Sequence, residues 1–120
     1  MLVGTEWIVD AEGCDAGALK DPEKLQMILQ QVIYDLQLHV LLTPMIHKFP
    51  EPGGVTGLIM LTESHLACHT YPEFNAATFN LYCCRLRPEW PWEAQLSKSL
   101  GATRVTVRKV QRGAGAGRLE

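Results

Sequence analysis

Apolar and polar positions along the chain change in spacing, and these changes predict where helices and strands lie. Residues 2–11 are rich in β-forming residues and partly alternate, which is typical of a strand. A helix is then predicted, because Asp21 can cap it, Pro22 fits its first position, and apolar residues follow at helical spacing. The apolar residues that share this face are Leu25, Ile28, Leu29, Val32 and Leu36.

The middle of the chain predicts three further strands. Residues 39–48 form one, in which Pro44 favours an edge or broken position. The proline and glycine cluster at 50–54 predicts a turn. Residues 55–63 and 76–84 then predict a third and a fourth strand.

The C-terminal part predicts a second helix and a last strand. Pro91 is expected as the first helical residue, and Gly101 is expected to end the helix. Residues 103–110 alternate well, with Val105 and Val107 facing one way.

The element order β-α-β-β-β-α-β indicates an α+β fold. We expect a two-layer sandwich with two helices on one face of a mostly antiparallel sheet. One domain is predicted over residues 1–110, followed by a flexible tail over 111–120. The other sheet face needs solvent, a ligand or a partner, and so short a chain buries only about two-thirds of its unfolded surface.

Composition and charge argue against several classes of protein. The net charge is -2 and no basic run is present, so a nucleic-acid partner is not expected. The apolar runs are far shorter than the roughly 20 residues that cross a bilayer, and the N-terminus lacks the basic region of a secretory signal. Four cysteines, two of them adjacent, suit reduced thiols in a cytoplasmic protein.

Residues 61–73 (LTESHLACHTYPE) concentrate groups that carry chemistry. His65, Cys68 and His69 are of the types that bind zinc, and either Cys83 or Cys84 could complete a set. The spacing does not match common zinc patterns, so no metal site is predicted.

Nucleophilic catalysis is a second interpretation of the same stretch. Ser64 is not set in a G-x-S-x-G elbow, and no orienting aspartate follows closely. A thiol enzyme that pairs Cys84 or Cys68 with His69 stays open from the residues alone.

A family resemblance accounts for more of these residues together. The stretch resembles the self-processing segment of the S-adenosylmethionine decarboxylase family, in its short prokaryotic form. The matching residues are Glu63-Ser64-His65-Leu66, His69-Thr70-x-Pro72-Glu73, a cysteine at the end of the next strand, Phe49, Gly54-Val55-Thr56-Gly57 and Gly4-Thr5-Glu6.

The resemblance implies a proenzyme that makes its own cofactor. Ser64 attacks the carbonyl of Glu63, and the chain is cut between them, leaving a pyruvoyl group in place of the serine. His69 matches the family's processing base, and Thr56 stands where the family usually has the serine that supports the oxyanion.

The implied mature reaction is decarboxylation of S-adenosylmethionine, which supplies aminopropyl groups for spermidine. The pyruvoyl carbonyl forms a Schiff base with the substrate amine and acts as the electron sink, without a metal or pyridoxal phosphate. Counted from Ser64, Cys84 matches the family's proton donor, and Cys83 is expected to pack in the core.

The resemblance also assigns substrate contacts and a partner. Phe49 matches the residue that stacks on adenine, and Glu73 matches the carboxylate that binds the ribose. His65 follows the pyruvoyl position and is expected to orient it, while Glu6 matches an acidic residue of longer members. A homodimer with sites at the interface is expected.

Several departures border the expected substrate pocket. The family's usual tryptophan is Tyr71 here, a frequent aspartate is Asn80, and the glycine after the cysteine is Arg85. Decarboxylation of ornithine or arginine by the same cofactor is therefore one alternative. A catalytically inactive binding or regulatory homologue is another.

Overall fold

The computed structural model describes residues 2–113, which form a six-stranded antiparallel sheet with helices on one face. The strands are β1 (Gly4–Glu12), β2 (Met45–Lys48), β3 (Val55–Leu61), β4 (Ser64–Tyr71), β5 (Ala76–Cys83) and β6 (Arg104–Arg112). Their order across the sheet is β2-β3-β4-β5-β1-β6, so β4 and β5 are central. The helices are α1 (Ala16–Leu19), α2 (Pro22–Leu36), α3 (Trp92–Leu100) and a 3-10 turn at Pro72–Phe74.

The hydrophobic core lies between the sheet and the helices. Trp7 and Val9 of β1, Leu66 of β4 and Leu81 of β5 point into it and are almost fully buried. The predicted face of α2 packs on them, since all five of its predicted apolar residues are buried. The predicted α+β sandwich with two main helices on one sheet face is confirmed.

Residues at the cap positions mark the ends of the main helices. Asp21 accepts hydrogen bonds from the backbone N–H groups of Glu23 and Lys24, at 3.1 and 3.3 Å. Gly101 ends α3 at a φ of 71°, which favours glycine. Pro91 caps α3 and helical geometry starts at Trp92, so the expectation that Pro91 is the first helical residue is wrong by one position.

Two predicted strands were too long and one strand was not predicted. The strand expected over 39–48 is regular only from Met45 to Lys48, as the edge strand β2. The strand expected over 55–63 ends at Leu61, because Thr62 and Glu63 form a tight turn. After this turn, residues 64–71 form β4, a central strand in which buried and exposed side chains alternate.

Strand ends near the C-terminal half also differ from the predicted ones. β5 ends at Cys83, so Cys84 lies just beyond it. β6 runs to Arg112, which places the first two residues of the predicted tail in the strand. Gly113 of that predicted tail follows as a bend, and residues 114–120 lie outside the described residues. The four-residue helix α1 was not predicted.

The sheet face away from the helices, which we call the open face, carries polar and aromatic side chains. It presents Thr56, His65, His69, Asn80, Tyr82, Glu6 and Asp10, with Arg108 from β6. No helix within residues 2–113 is long and apolar enough to cross a membrane. The open face is thus the part of the described fold that remains to be covered by solvent, a ligand or another chain.

Candidate active site

The tight turn between β3 and β4 holds Glu63 and Ser64 at one end of the sheet. Leu61 pairs with Ser64 across this hairpin, so Thr62 and Glu63 are its two turn residues. The Glu63 carbonyl accepts a hydrogen bond from the backbone N–H of Cys84, 3.1 Å away. The carbonyl of the Glu63–Ser64 peptide bond is therefore already polarised by a donor from the end of β5.

A cavity of about 290 Å³, which we call the hairpin pocket, opens beside this turn. It is lined by Leu38, His39, Thr62, Glu63, Ser64, Cys83, Cys84, Arg85 and Arg87. Ser64, Glu63 and Cys84 also border a wider depression on the open face, together with His65 and Tyr82. Ser64 thus borders a cavity on each side of this end of the sheet.

The two adjacent cysteines have different surroundings. Cys83 pairs with Ser64 across β4 and β5 and is 2% exposed, whereas Cys84 is exposed. Burial raises the pKa of the Cys83 thiol, which Arg87 and a hydrogen bond with Ser64 partly offset. The expectation that Cys83 packs in the core agrees with its burial, and Cys84 is the cysteine that both depressions expose.

Arg85 binds the Glu63 side chain through two donors. Its Nε donates to one carboxylate oxygen, and its Nη2 donates to the other at 3.2 Å. These contacts, and next the charge of Arg87, hold the pKa of the Glu63 carboxyl below its usual value. The two residues are 22 positions apart, so sequence reasoning gave no signal for this pair.

A second group of predicted site residues lies at the opposite end of the same hairpin. Thr56 Oγ1 and His69 Nδ1 are 3.1 Å apart, because Thr56 and His69 are direct partners across β3 and β4. They border a cavity of about 490 Å³, which we call the far pocket. Phe49 and Glu73 border the same cavity, so the predicted processing and substrate residues meet there.

The two groups do not meet within one chain. Ser64 and His69 are five residues apart along β4, a separation of about 17 Å at roughly 3.4 Å per residue. An odd spacing also directs them to opposite faces of the sheet. The expected cooperation of Ser64 with His69 and Thr56 therefore has no support within a single copy of the chain.

The same geometry weakens the interpretation of a thiol enzyme. Burial raises the pKa of the Cys68 thiol to about 12, so this thiol stays protonated at neutral pH and is a poor nucleophile. Cys84 follows the pair of Ser64 and Cys83, at the end of the sheet away from His69. Neither cysteine has His69 as a base within one chain.

Some motif residues serve the fold. Thr70 is 4% exposed, accepts a hydrogen bond from the Val55 N–H and donates one to the Leu19 carbonyl, both at 2.8 Å. It thereby joins the start of β3 to the end of α1. Pro72 is buried in the 3-10 turn that follows β4. These two positions of the motif fix the backbone around the far pocket.

Glu6 and His65 are linked across the open face through Asn80, which stands where the family frequently has an aspartate. Asn80 donates to Glu6 at 2.6 Å and is 3.1 Å from His65 Nε2, while Arg112 donates to Glu6 at 2.6 Å. The Asn80 and Arg112 hydrogen bonds lower the pKa of the Glu6 carboxyl against the effect of burial. His65 is also stacked on Tyr82, with ring centroids 5.7 Å apart.

A comparison with known families identifies the scaffold. The family model described as S-adenosylmethionine decarboxylase matches residues 5–113. The chain belongs to the S-adenosylmethionine decarboxylase family. The predicted resemblance is confirmed.

Curated relatives and a solved structure agree with this membership. The S-adenosylmethionine decarboxylase proenzyme of Pelotomaculum thermopropionicum is 34% identical over 113 residues, covering 92% of this chain and 87% of the relative. The protein of the same name from Thermotoga maritima is 32% identical, covering 92% of this chain and 85% of the relative. The adenosylmethionine decarboxylase of Aquifex aeolicus has the same fold, with a TM-score of 0.75 at 24% identity over 94% of this chain and 92% of that one.

Among residues 2–113, no cluster of three or more histidine, cysteine, aspartate or glutamate side chains is arranged to hold a metal ion. The hydroxyl of Ser64 lies next to a polarised carbonyl and a cavity, which suits conversion of the serine itself into a carbonyl group. The described residues therefore fit a pyruvoyl group at position 64.

Proposed function

We propose that the protein is a self-cleaving, pyruvoyl-dependent decarboxylase of S-adenosylmethionine. The observation that carries the proposal is the position of the Glu63–Ser64 bond at the exit of a tight hairpin, with its carbonyl held by the Cys84 N–H beside an open cavity. Membership of the family supports the substrate. The product would donate aminopropyl groups for spermidine synthesis. The free cysteines suit the reducing cytoplasm.

The self-cleavage needs one nucleophile, one base and an oxyanion donor. Ser64 Oγ attacks the Glu63 carbonyl carbon, the C–N bond breaks, and an ester with a free Ser64 amine results. A base removes the Ser64 Cα proton, and the electron pair forms a double bond as the Glu63 carboxylate leaves. One water then hydrolyses the dehydroalanine that results, its nitrogen leaves as ammonia, and a ketone remains at position 64.

The base and the hydroxyl come from a second copy of the chain in this proposal. Thr56 and His69 form a hydrogen-bonded pair that lies about 17 Å from Ser64 in its own chain. In the proposed twofold dimer, the far pocket of one chain lies against the hairpin end of the other, and the symmetry repeats this contact so that two such sites form. Leu58 and Met60 of β3, which are exposed apolar residues on the open face, fit a covered interface.

The mature site would then combine the hairpin pocket of one chain with the far pocket of the other. When formed, the pyruvoyl group supplies the electron sink that stabilises negative charge at the substrate Cα. Phe49 and Glu73 of the far pocket would hold the adenine and ribose, and Cys84 of the hairpin pocket would return the proton. His65, fixed by Asn80 and Tyr82, would orient the residue next to the cofactor.

Mixing two inactive variants tests the shared site. We expect neither Ser64→Ala nor His69→Ala to cleave alone, since one lacks the nucleophile and the other the base. Co-expressed with different tags, the two chains should form a mixed dimer in which only the His69→Ala chain is cut, by the His69 of its partner. Mass spectrometry of each tagged chain gives the answer. No cut chain in a mixed dimer isolated by both tags would contradict the shared site.

Release of CO₂ from carboxyl-labelled substrates tests the reaction. We expect S-adenosylmethionine to be decarboxylated with kcat/KM at least about 100-fold above that for ornithine or arginine, because only the former offers adenine and ribose to Phe49 and Glu73. Phe49→Ala and Glu73→Gln should raise KM for this substrate. Preferential release from ornithine or arginine would overturn the substrate and keep the cofactor, and no release from any of the three would favour an inactive homologue.

A further inference from the structure

Two arginines and one carboxylate line the hairpin pocket of the uncut chain. Arg85 and Arg87 both line it, while the Glu63 side chain is the acidic group on its wall. Arg85 takes both oxygens of that carboxylate. Arg87 lowers the pKa of Glu63 through its charge without a direct hydrogen bond to it among the described contacts.

The Nε of Arg87 has no hydrogen-bond acceptor among the described residues. Its Nη1 donates to the Leu86 carbonyl at 3.0 Å, but among residues 2–113 its buried Nε has no hydrogen-bond partner. A buried unpaired donor on a charged group is costly, and such groups usually face a ligand or an ion. Because Arg87 and Glu63 both line the hairpin pocket, this unpaired guanidinium donor lies buried in the pocket wall beside Glu63.

Self-cleavage creates a new anion close to this donor. Before the cut, the Glu63 backbone ends in a neutral carbonyl whose oxygen accepts from the Cys84 N–H. After the cut, that carbonyl carbon carries two oxygens and one negative charge, as the α-carboxylate of residue 63. The pocket would then hold two carboxylates for two guanidinium groups.

We propose that Arg87 and the Cys84 backbone N–H form a binding site for the α-carboxylate that self-cleavage creates at Glu63. The inference rests on the proposed function, since the ligand exists only in the cut protein. Arg85 retains its hydrogen bonds to the Glu63 side chain, and the Cys84 N–H retains its hydrogen bond to the former carbonyl oxygen. Arg87 binds the new oxygen. The end of the first fragment is thus held at the wall of the hairpin pocket.

Thermal unfolding of cut and uncut protein tests this division of roles. Arg87→Gln should lower the Tm of the cut enzyme by about 5 °C, the effect of about 1 kcal/mol in a small domain. The same change in the uncut Ser64→Ala chain should leave the Tm nearly unchanged, because the α-carboxylate is absent there. Arg85→Gln should lower both, and Arg87→Lys should restore part of the loss.

A second measurement reads the new C-terminus directly. Carboxypeptidase should trim Glu63 from the first fragment about 10-fold faster in Arg87→Gln than in the unmutated enzyme, followed by mass spectrometry. The matched control is Arg104→Gln, which removes from β6 an arginine that forms a surface ion pair with Glu12 of β1. This change should alter neither the trimming rate nor the difference in Tm between cut and uncut protein.

The outcomes separate this inference from the proposed function. Equal loss of Tm in cut and uncut protein, or no change in Tm and trimming, would show that Arg87 does not bind the new carboxylate. An Arg87→Gln chain that stays uncut would also overturn the inference, since Arg87 would then act before the anion exists. An uncut unmutated chain would overturn the proposed function together with the inference.

Discussion

Ser64→Ala should abolish both the cleavage of the chain and all decarboxylation. The substitution removes the oxygen that attacks the Glu63 carbonyl in the proposed reaction, and no pyruvoyl group can then form. Ser64 starts β4 and is only half-buried, so the loss of its hydroxyl should cost little stability. Gel electrophoresis should show one full-length chain, and CO₂ release should fall to the background of the assay.

Ser99→Ala is the matched control for this variant. Ser99 lies on α3, away from both pockets that hold the predicted site residues, so the control chain should be cut and active. A Ser64→Ala protein that is folded and still releases CO₂ would refute the pyruvoyl mechanism. That result would restore the thiol enzyme, which does not need Ser64.

Cys84→Ser should lower the rate of decarboxylation by about 10²- to 10⁴-fold, because a hydroxyl is a much weaker acid than a thiol. The chain should still be cut. Cys84 is exposed and borders both depressions at the hairpin end. Steady-state CO₂ release by the fully cut variant gives the rate. The proton should be returned poorly even when substrate binding is unchanged.

Cys83→Ser is the paired comparison. Its thiol is buried in the core, so we expect a stability loss of about 1–3 kcal/mol and a rate within a few-fold of the unmutated enzyme. Chemical denaturation measures the first and CO₂ release the second. If Cys83→Ser lost the rate and Cys84→Ser kept it, the two cysteines would exchange roles, as the contact of Cys83 with Ser64 would allow.

The parts of the fold that could be predicted are those with strong local signals. Asp21, Pro22 and the apolar face of α2 gave that helix its start and its orientation. β4 escaped prediction although Leu66 and Cys68 alternate with exposed residues, because its outer face carries histidines in place of ordinary strand surface. β2 was predicted too long, since most of 39–48 has no regular partner beyond one bridge at Val40.

The arrangement of the site could be predicted only as a list of residues. Their identities came from the family resemblance, whereas their separation follows from strand register, which places Ser64 and His69 at opposite ends of one hairpin. The contacts of Arg85 with Glu63 and of Asn80 with Glu6 join residues 22 and 74 positions apart. Local sequence gives no signal for either contact, because the partners come together only in the folded chain.

Intact mass spectrometry of the purified, denatured and reduced protein tests the central claim most directly. The account predicts two fragments that divide between Glu63 and Ser64, the second without an N-terminal amine. Their combined mass should exceed that of the uncut chain by the difference between water and ammonia, because one water enters and one ammonia leaves. A single full-length chain that persists on incubation would contradict the account.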